Sequence, residues 1–442
     1  MVTGKDILHK EYLDICDNIK IEGLEEYNIK QLLYNDFIFI QSINWKDTVK
    51  NLLKTVLYNS EEMLSLCVDS RDDTMILVSS KWNRKDHDGY WEKICNAFEQ
   101  FTRISLVDEC FSIKTWMRTF SLKSVMQNIC DIKSLYINIE CISNIRHRIN
   151  LLIRLMQVKR VHKLLHEKDL APRVAMCFFD SGFFENIVMQ YFRKRGVITV
   201  TNQHGQPLFR SHNYDRMNQS QILNFKCDYF LAKGEFTRKQ FIDAGMEGDK
   251  VLVIGSFNKD KKIARSYCLR KTFCVFLNCV ALPNAREANA KMLQIAKVLS
   301  ERIDYRYYVK IHPSDSIDYY SNINDERLIN VVEKDKTISD IADKIDFGFF
   351  NESAIFLDML DQKVKPYYWD SGVRFPLVED SDSIFRNIDE LEQKIVKWCN
   401  CSDNQKDKYF SDTACYYNGA GNAKENIRVF VRDLIANNGN YC

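Results

Sequence analysis

Thr199-Val200-Thr201-Asn202-Gln203-His204-Gly205-Gln206-Pro207-Leu208 joins a β-branched run to a polar loop with no transition between them. A strand that breaks off into His, Gly and Pro is what an open α/β sheet shows where it places its chemistry, just outside the carboxyl ends of its strands. The arrangement recurs at Tyr307-Tyr308-Val309-Lys310-Ile311-His312-Pro313-Ser314. Two histidines at strand ends, each within its own α/β half, predict a site between two domains.

Outward from His204, strands alternate with helices. An apolar run over 174–179 ends in Asp180-Ser181-Gly182, residues 184–195 are helical, and 197–201 form the strand that leads into His204. Further strands at 227–233 and 251–254 flank a helix at 237–244. A polar stretch over 256–266 reads as a linker, and then the pattern repeats. Strands are expected at 272–280, 305–311, 328–332 and 346–350, with 364–369 closing the sheet, and helices at 284–303, 338–344 and 354–360. Such alternation implies parallel βαβ units. The expected architecture is α/β, with two Rossmann-like domains facing each other across a cleft. The first spans residues 1–260 and carries a helix-rich N-terminal elaboration; the second spans 267–425. A last helix within 426–442 is expected to pack back on the first domain.

Residues 1–165 are mostly helical by pattern, with strand-like pieces at 36–40 and 75–78 and helical periodicity over 45–64. Residues 142–165 form a basic amphipathic helix in which Arg146, Arg148, Arg154, Lys159, Arg160 and Lys163 accompany a set of aliphatic residues. Such a helix can lie on an anionic membrane; the simpler expectation is a surface helix with one face in the core.

A chain of 442 residues exceeds one usual core and suits two domains. Its 45% hydrophobic and 28% charged residues are an ordinary globular balance, and 27 Phe and 21 Tyr can fill large cores. A net charge of +2 provides no field for nucleic acid, so none is expected as a partner. No basic-apolar-small succession opens the chain and no run of 18 apolar residues occurs, so neither export nor a spanning helix is expected. The 15 cysteines include no CxxC pair, and Cys399 and Cys401 lack zinc-ligand spacing. They read as reduced, mostly buried thiols of a cytoplasmic protein.

His204 precedes Gly205, which lets backbone approach a ligand, and a neutral imidazole can take a proton from an attacking hydroxyl. His312 holds the equivalent place in the second half, and Lys310 would set a cation near a phosphate. Ser353 stands where a strand ends and a helix begins, so its hydroxyl and the free N–H groups there form an anion site, or else an ordinary helix cap. Asp358 lies in an otherwise apolar run and needs a partner, either ribose hydroxyls or a buried hydrogen bond. No GxxxxGK[ST], strand-linked GxGxxG or HExxH occurs. Asp86-His87-Asp88 and Asp380-Ser381-Asp382 read as solvated loop charge rather than metal ligands. No cofactor and no metal are therefore expected.

In this order the elements resemble the GT-B transferases of bacterial surface polymers. They are most similar to the CDP-glycerol glycerophosphotransferase (teichoic acid polymerase) group and its polysialyltransferase-like relatives. The family's strand-HGTP loop corresponds to His204-Gly205-Gln206-Pro207, and its glycine-led turn into the linker to Gly255-Ser256-Phe257-Asn258-Lys259-Asp260. Its strand ending in KxHP corresponds to Lys310-Ile311-His312-Pro313, and its serine followed by an FD pair to Ser353 with Phe356-Leu357-Asp358. The resemblance covers about residues 172–375. It implies His204 as the base, with His312, Ser353 and Asp358, beside Lys310 and Gly255, on a nucleotide-activated donor. Gln206 in place of Thr, Phe209 in place of a basic residue, and a Gly255 turn without Pro or Arg depart from the polyol-phosphate pattern. They shift the expectation toward a sugar, transferred without metal to a hydroxyl of a capsular, teichoic or lipopolysaccharide-type glycan. The partners implied are the donor and a glycan or lipid-linked acceptor, and the basic helix raises peripheral contact with the inner membrane face. Glycerol- or ribitol-phosphate transfer, a nucleotide-sugar 2-epimerase using Asp180 and Glu185, and a non-catalytic scaffold are the other readings.

Overall fold

The structure is a computed structural model. It describes residues 43–57, 64–69, 74–79, 85–108, 120–137, 144–180, 182–203, 227–257, 265–280, 284–320, 325–372 and 377–437, together with 21, 23–25, 27–29, 31, 32, 117, 139, 142 and 323. The first half contains α1 (Trp45–Leu57), β1 (Leu64–Asp69), β2 (Met75–Ser79), α2 (Lys85–Cys95), β3 (Thr102–Asp108), α3 (Leu122–Ile137) and α4 (Ile145–Lys168). It continues with β4 (Val174–Cys177), α5 (Phe183–Lys194), β5 (Ile198–Asn202), β6 (Tyr229–Ala232), α6 (Glu235–Asp243) and β7 (Val251–Val253). The second half contains β8 (Thr272–Phe276), α7 (Ala285–Arg302), β9 (Arg306–Lys310), β10 (Leu328–Val332), β11 (Phe347–Phe350) and α8 (Ile355–Asp361). After these come β12 (Lys365–Trp369), β13 (Ile384–Phe385), α9 (Ile388–Cys399), α10 (Asp403–Asn418) and α11 (Ala423–Asn437).

Two sheets result. The first runs β1-β3-β2-β4-β5-β6-β7, parallel except for the antiparallel edge pair β1 and β3. The second runs β10-β9-β8-β11-β12-β13 and is parallel throughout. Because side chains alternate along a strand, each sheet feeds two cores. Phe273 and Val275 pack under α7 and α9, while Cys274 and Phe276 face α8 and α10. In the first sheet Ala175 and Cys177 face α4 and α5, whereas Val174 and Met176 face α2 and α11. The C-terminal helix thus returns to the first sheet, setting Ile427 and Val431 against Met75 and Ile254. The two sheets with flanking helices form a GT-B-type architecture of two Rossmann-like halves.

Several local expectations are corrected. The periodicity over 45–64 stops as a helix at Leu57, and Leu64 opens strand β1. The segment 338–344 is two 3-10 turns rather than one helix, Ile338–Asp340 and Ala342–Lys344, and a Thr337–Asp340 capping box fixes the first. β12 does not close its sheet; the two-residue β13 pairs beyond it. Asp380 is not solvated charge, because it lies 3.4 Å from the buried ammonium of Lys365. Asp382 does pair at the surface, with Lys397 at 2.7 Å. The basic helix is α4, and several of its cations are spent against neighbouring elements, while Lys163 stays at the surface beside Glu167. Arg160 donates to the Thr55 carbonyl, Lys159 to Asp131, and Arg154 lies 4.1 Å over the Phe183 ring. The strand-like segment 36–40 lies outside the described residues.

The crossing back to the first sheet depends on Gly419, at φ +73° and ψ 168°, a region open only to glycine. A side-chain carbon there would strike the Lys233 carbonyl oxygen and the Gly255 backbone. Gly419→Ala should therefore lose roughly 2 kcal/mol or more of stability, read as a lower urea midpoint than wild type. An unchanged midpoint would show that the crossing relaxes freely.

Candidate functional site

The second sheet has the strand order that reverses between its first and fourth strands, here β8 and β11. In open α/β sheets the crevice at that reversal is where ligands sit. Asn278 follows β8 and Asn351 follows β11, and both are buried. Asn351 Nδ2 donates to the Trp369 carbonyl at 2.8 Å, which turns its Oδ1 toward Asn278 Nδ2 at 3.2 Å. Asn278 must then present its own Oδ1 with no donor, and that buried oxygen has no partner among the described residues. The first sheet repeats the situation at the end of β5. There Asn202 Nδ2 donates to the Cys177 carbonyl at 3.1 Å and the buried Asn202 Oδ1 is unpaired. Buried acceptors without donors are costly, so a carboxyl edge in each half offers a vacant hydrogen bond.

Between the halves, Lys233 ends β6 and Asp358 and Asp361 lie on α8. The Asp358 side chain is exposed to solvent on α8, with protein packed densely around it. Lack of water pushes its carboxyl up to about 6; Lys233 opposes the shift and Asp361 adds to it. Because the side chain still meets solvent, screening limits the energetic weight of the shift, and its upward direction is what matters. Burial likewise lowers the Lys233 ammonium, against the pull of Asp358 and Asp361. Its Nζ lies 4.9 Å over the ring of Tyr90, whose hydroxyl is held protonated by burial. The Lys233 backbone N–H donates to Gln203 Oε1 at 2.7 Å, so the strand end carrying the cation is tied to the residue before His204.

His204, Gly205, Gln206 and Pro207 themselves lie outside the described residues. Ser353 is half-buried, and its Oγ accepts from the Ile355 N–H at 3.3 Å, satisfying the helix it precedes. Lys310 is buried and turned away from that role, with Nζ donating to the Ile311 carbonyl at 2.8 Å. Gly255, at φ +93°, packs against Ala420 and Ala423 of the returning chain, which accounts for the glycine without a ligand. His312 is half-buried, and its Nδ1 accepts from the Ser314 N–H at 3.2 Å. It stands in a trio the sequence did not reveal, Cys279, His312 and Asp315, whose donor atoms lie within 4.8 Å of one another. Asp315 already accepts from the Val280 N–H and the Tyr320 hydroxyl at 3.2 Å, so the trio knots the loops after β8 and β9. Asp180 and Glu185 are both buried where β4 ends and α5 begins.

Lys233, Tyr90 and the unpaired amides carry no local sequence signal. Lys233 follows an ordinary apolar strand, and only the fold brings it to Asp358. Lys233→Met should raise the Asp358 pKa above about 6, and Asp361→Asn should lower it, since the first removes a cation and the second an anion. Carbon-13 NMR of selectively labelled aspartate reads both shifts. A pKa that stays put in both variants would separate Asp358 from the pair.

No family model matches the chain, and no curated protein matches it. Among solved structures, a Listeria monocytogenes protein provisionally named UDP-N-acetylglucosamine 2-epimerase aligns with TM-score 0.50 at 11% identity, covering 81% of this chain and 96% of that one. The UDP-GlcNAc 2-epimerase of Methanocaldococcus jannaschii aligns at 0.48 and 14%, covering 81% and 99%. The wall teichoic acid polymerase TagF aligns at 0.45 and 12%, covering 93% and 99%. At these identities the likeness is one of fold, and the Listeria alignment agrees with the two-sheet architecture read from the strand order.

Proposed function

We propose that the chain is a GT-B-type transferase that moves a sugar from a nucleotide-activated donor to a hydroxyl of a surface glycan. The observation that carries this reading is that Lys233 of the first half and Asp358 of the second lie near enough for each to act on the other's charge, beside the reversal point of the second sheet. The nucleotide lies along that edge. Asn278 Oδ1 accepts a hydrogen bond from its base or sugar, and the Asp358 carboxylate accepts from ribose hydroxyls. Lys233 faces the diphosphate, where negative charge builds as the bond to the sugar breaks, so it stabilises the leaving group. His204, one residue beyond the Gln203 clamp, takes the proton of the acceptor hydroxyl as its oxygen forms the new bond. His312 and Ser353 complete the donor edge, and no metal is used. The fold shared with a protein named as a nucleotide-sugar epimerase supports a nucleotide-linked ligand.

A second reading, a nucleotide-sugar 2-epimerase, draws on Asp180 and Glu185, two carboxylates buried at the end of β4. Product analysis with donor alone separates the two, because an epimerase inverts the sugar with no acceptor present and a transferase requires one.

Thermal stabilisation by CMP, CDP, UDP, GDP and ADP is the direct test. One nucleotide should raise the melting temperature, with or without EDTA. Asp358→Asn and Asn278→Ala should each weaken its binding about tenfold, roughly 1.4 kcal/mol. Affinity should rise with pH as Asp358 ionises through about 6, and Asp358→Asn should flatten that rise. His204→Ala should keep the binding and lose turnover. No shift with any nucleotide would leave the scaffold reading in its place.

A further inference from the structure

Two helices of the first half turn polar residues inward and leave an apolar strip outside. The side of α1 turned to α4 carries buried Thr48 and Thr55. Thr48 Oγ1 accepts from Asn150 Nδ2 at 2.9 Å, and the Thr55 carbonyl accepts from Arg160 at 2.7 Å. On α3 the inward residue Asn128 donates to the Val56 carbonyl at 2.9 Å. Leu135 of α3 is buried and Ile132 and Tyr136 pack half-buried against the core, but a second set of apolar residues on each helix faces the other way. Trp45, Val49 and Leu53, spaced i, i+4 and i+8 on α1, are 50%, 48% and 56% exposed. Leu122, Met126 and Ile129, spaced i, i+4 and i+7 on α3, are 67%, 55% and 46% exposed. An apolar strip left outside while polar residues are drawn in runs against the order that water imposes on a helix, and an exposed apolar face of this kind marks an interaction site.

Charge selects the partner. Lys46 and Lys50 on α1 and Lys123 and Lys133 on α3 are all exposed. The acidic residues of the two helices are Asp47 and Asp131, and Asp131 is held by Lys159 at 2.7 Å. A two-fold contact with a second copy would set this basic rim against itself, whereas anionic lipid headgroups complement it. Among the described residues no helix is long and apolar enough to cross a membrane, so the helices would lie in the interface rather than span it.

We propose that α1 and α3 form a docking face for the surface of an anionic lipid bilayer. The proposal does not depend on the reaction assigned above. The full chain should co-sediment with vesicles of phosphatidylglycerol and phosphatidylcholine and much less with phosphatidylcholine alone. Val49→Glu with Met126→Glu should cut the bound fraction at least about tenfold while leaving the circular dichroism spectrum and melting temperature unchanged. Lys46→Glu with Lys50→Glu should reduce binding to the anionic vesicles by about tenfold or more and leave the weak binding to phosphatidylcholine alone as it was. Three results would overturn the proposal. The first is no binding to either vesicle, and the second is binding that both variants retain. The third is a dimer, seen by light scattering, that Val49→Glu with Met126→Glu separates without any lipid affinity in the wild type.

Discussion

The return of the chain from the second half to the first is the constraint on which the cleft depends. Tyr417 packs its ring 4.8 Å from Phe236 and 5.0 Å from Phe356, one on a helix of each half. Two residues on, Gly419 passes so close to Lys233 and Gly255 that no side chain fits, and α11 then adds its apolar side to the first sheet. Asn426 Nδ2 fixes the entry by donating to the Ile254 carbonyl at 2.9 Å. The loop that carries Lys233 is thus clamped on one side by the returning chain and on the other by Gln203. The position of the Lys233 backbone relative to α8 follows from this packing.

That fixed placement separates Lys233 from Lys365, another lysine whose ammonium burial disturbs. Lys365 is 3% exposed, with its ammonium pushed down to about 8. The protein completes it, through Ser383 at 2.9 Å, Asp380 at 3.4 Å and the Tyr409 ring at 3.8 Å. A buried cation with every direction filled is a structural element. Lys233 and Asp358 lie among crowded protein without being sealed from water, and Asn202 and Asn278 each hold an acceptor with no partner among the described residues. Groups left incomplete by the fold, near a strand-order reversal, are what distinguishes a binding site from a well-satisfied core.

The parts of the fold that were legible from sequence are those whose residues answer to a single environment. Leu328–Val332 was read to the residue, and β4, β5 and β9 to within one or two. A parallel strand covered on both faces is a continuous apolar run between polar stops. β1 and β3 were missed because they form a partly exposed antiparallel edge, where alternation blurs the run. β13 has two residues and no pattern to detect. At the site, Asp358 stood out as a carboxylate in an apolar segment, a conflict visible in one dimension. Lys233 was invisible because nothing around it in sequence conflicts with a lysine. Asn278 was missed for a different reason, since its vacancy is set by the Asn351–Trp369 bond, a contact between loops.

The same limit explains why the basic helix over 142–165 drew attention and α1 did not. A count of lysines and arginines beside aliphatic residues gives the same answer whether the cations point at lipid or at neighbouring helices. In α4 Lys159, Arg160 and Arg154 find Asp131, the Thr55 carbonyl and the Phe183 ring, so those three cations serve packing, and Lys163 alone of the six is exposed. The direction of an amphipathic helix is decided by which of its sides finds partners. On α1 the side that finds them is the threonine side, because Asn150 and Arg160 of α4 can bond nothing apolar. Among the described residues the second half shows no comparable face, its exposed large hydrophobics being scattered over Leu269, Ile317, Tyr319 and Val396. An apolar face confined to the half that carries His204, opposite a half that carries Asn278 and Asp358, suits a reaction in which one substrate is held at a lipid surface and the other arrives from water.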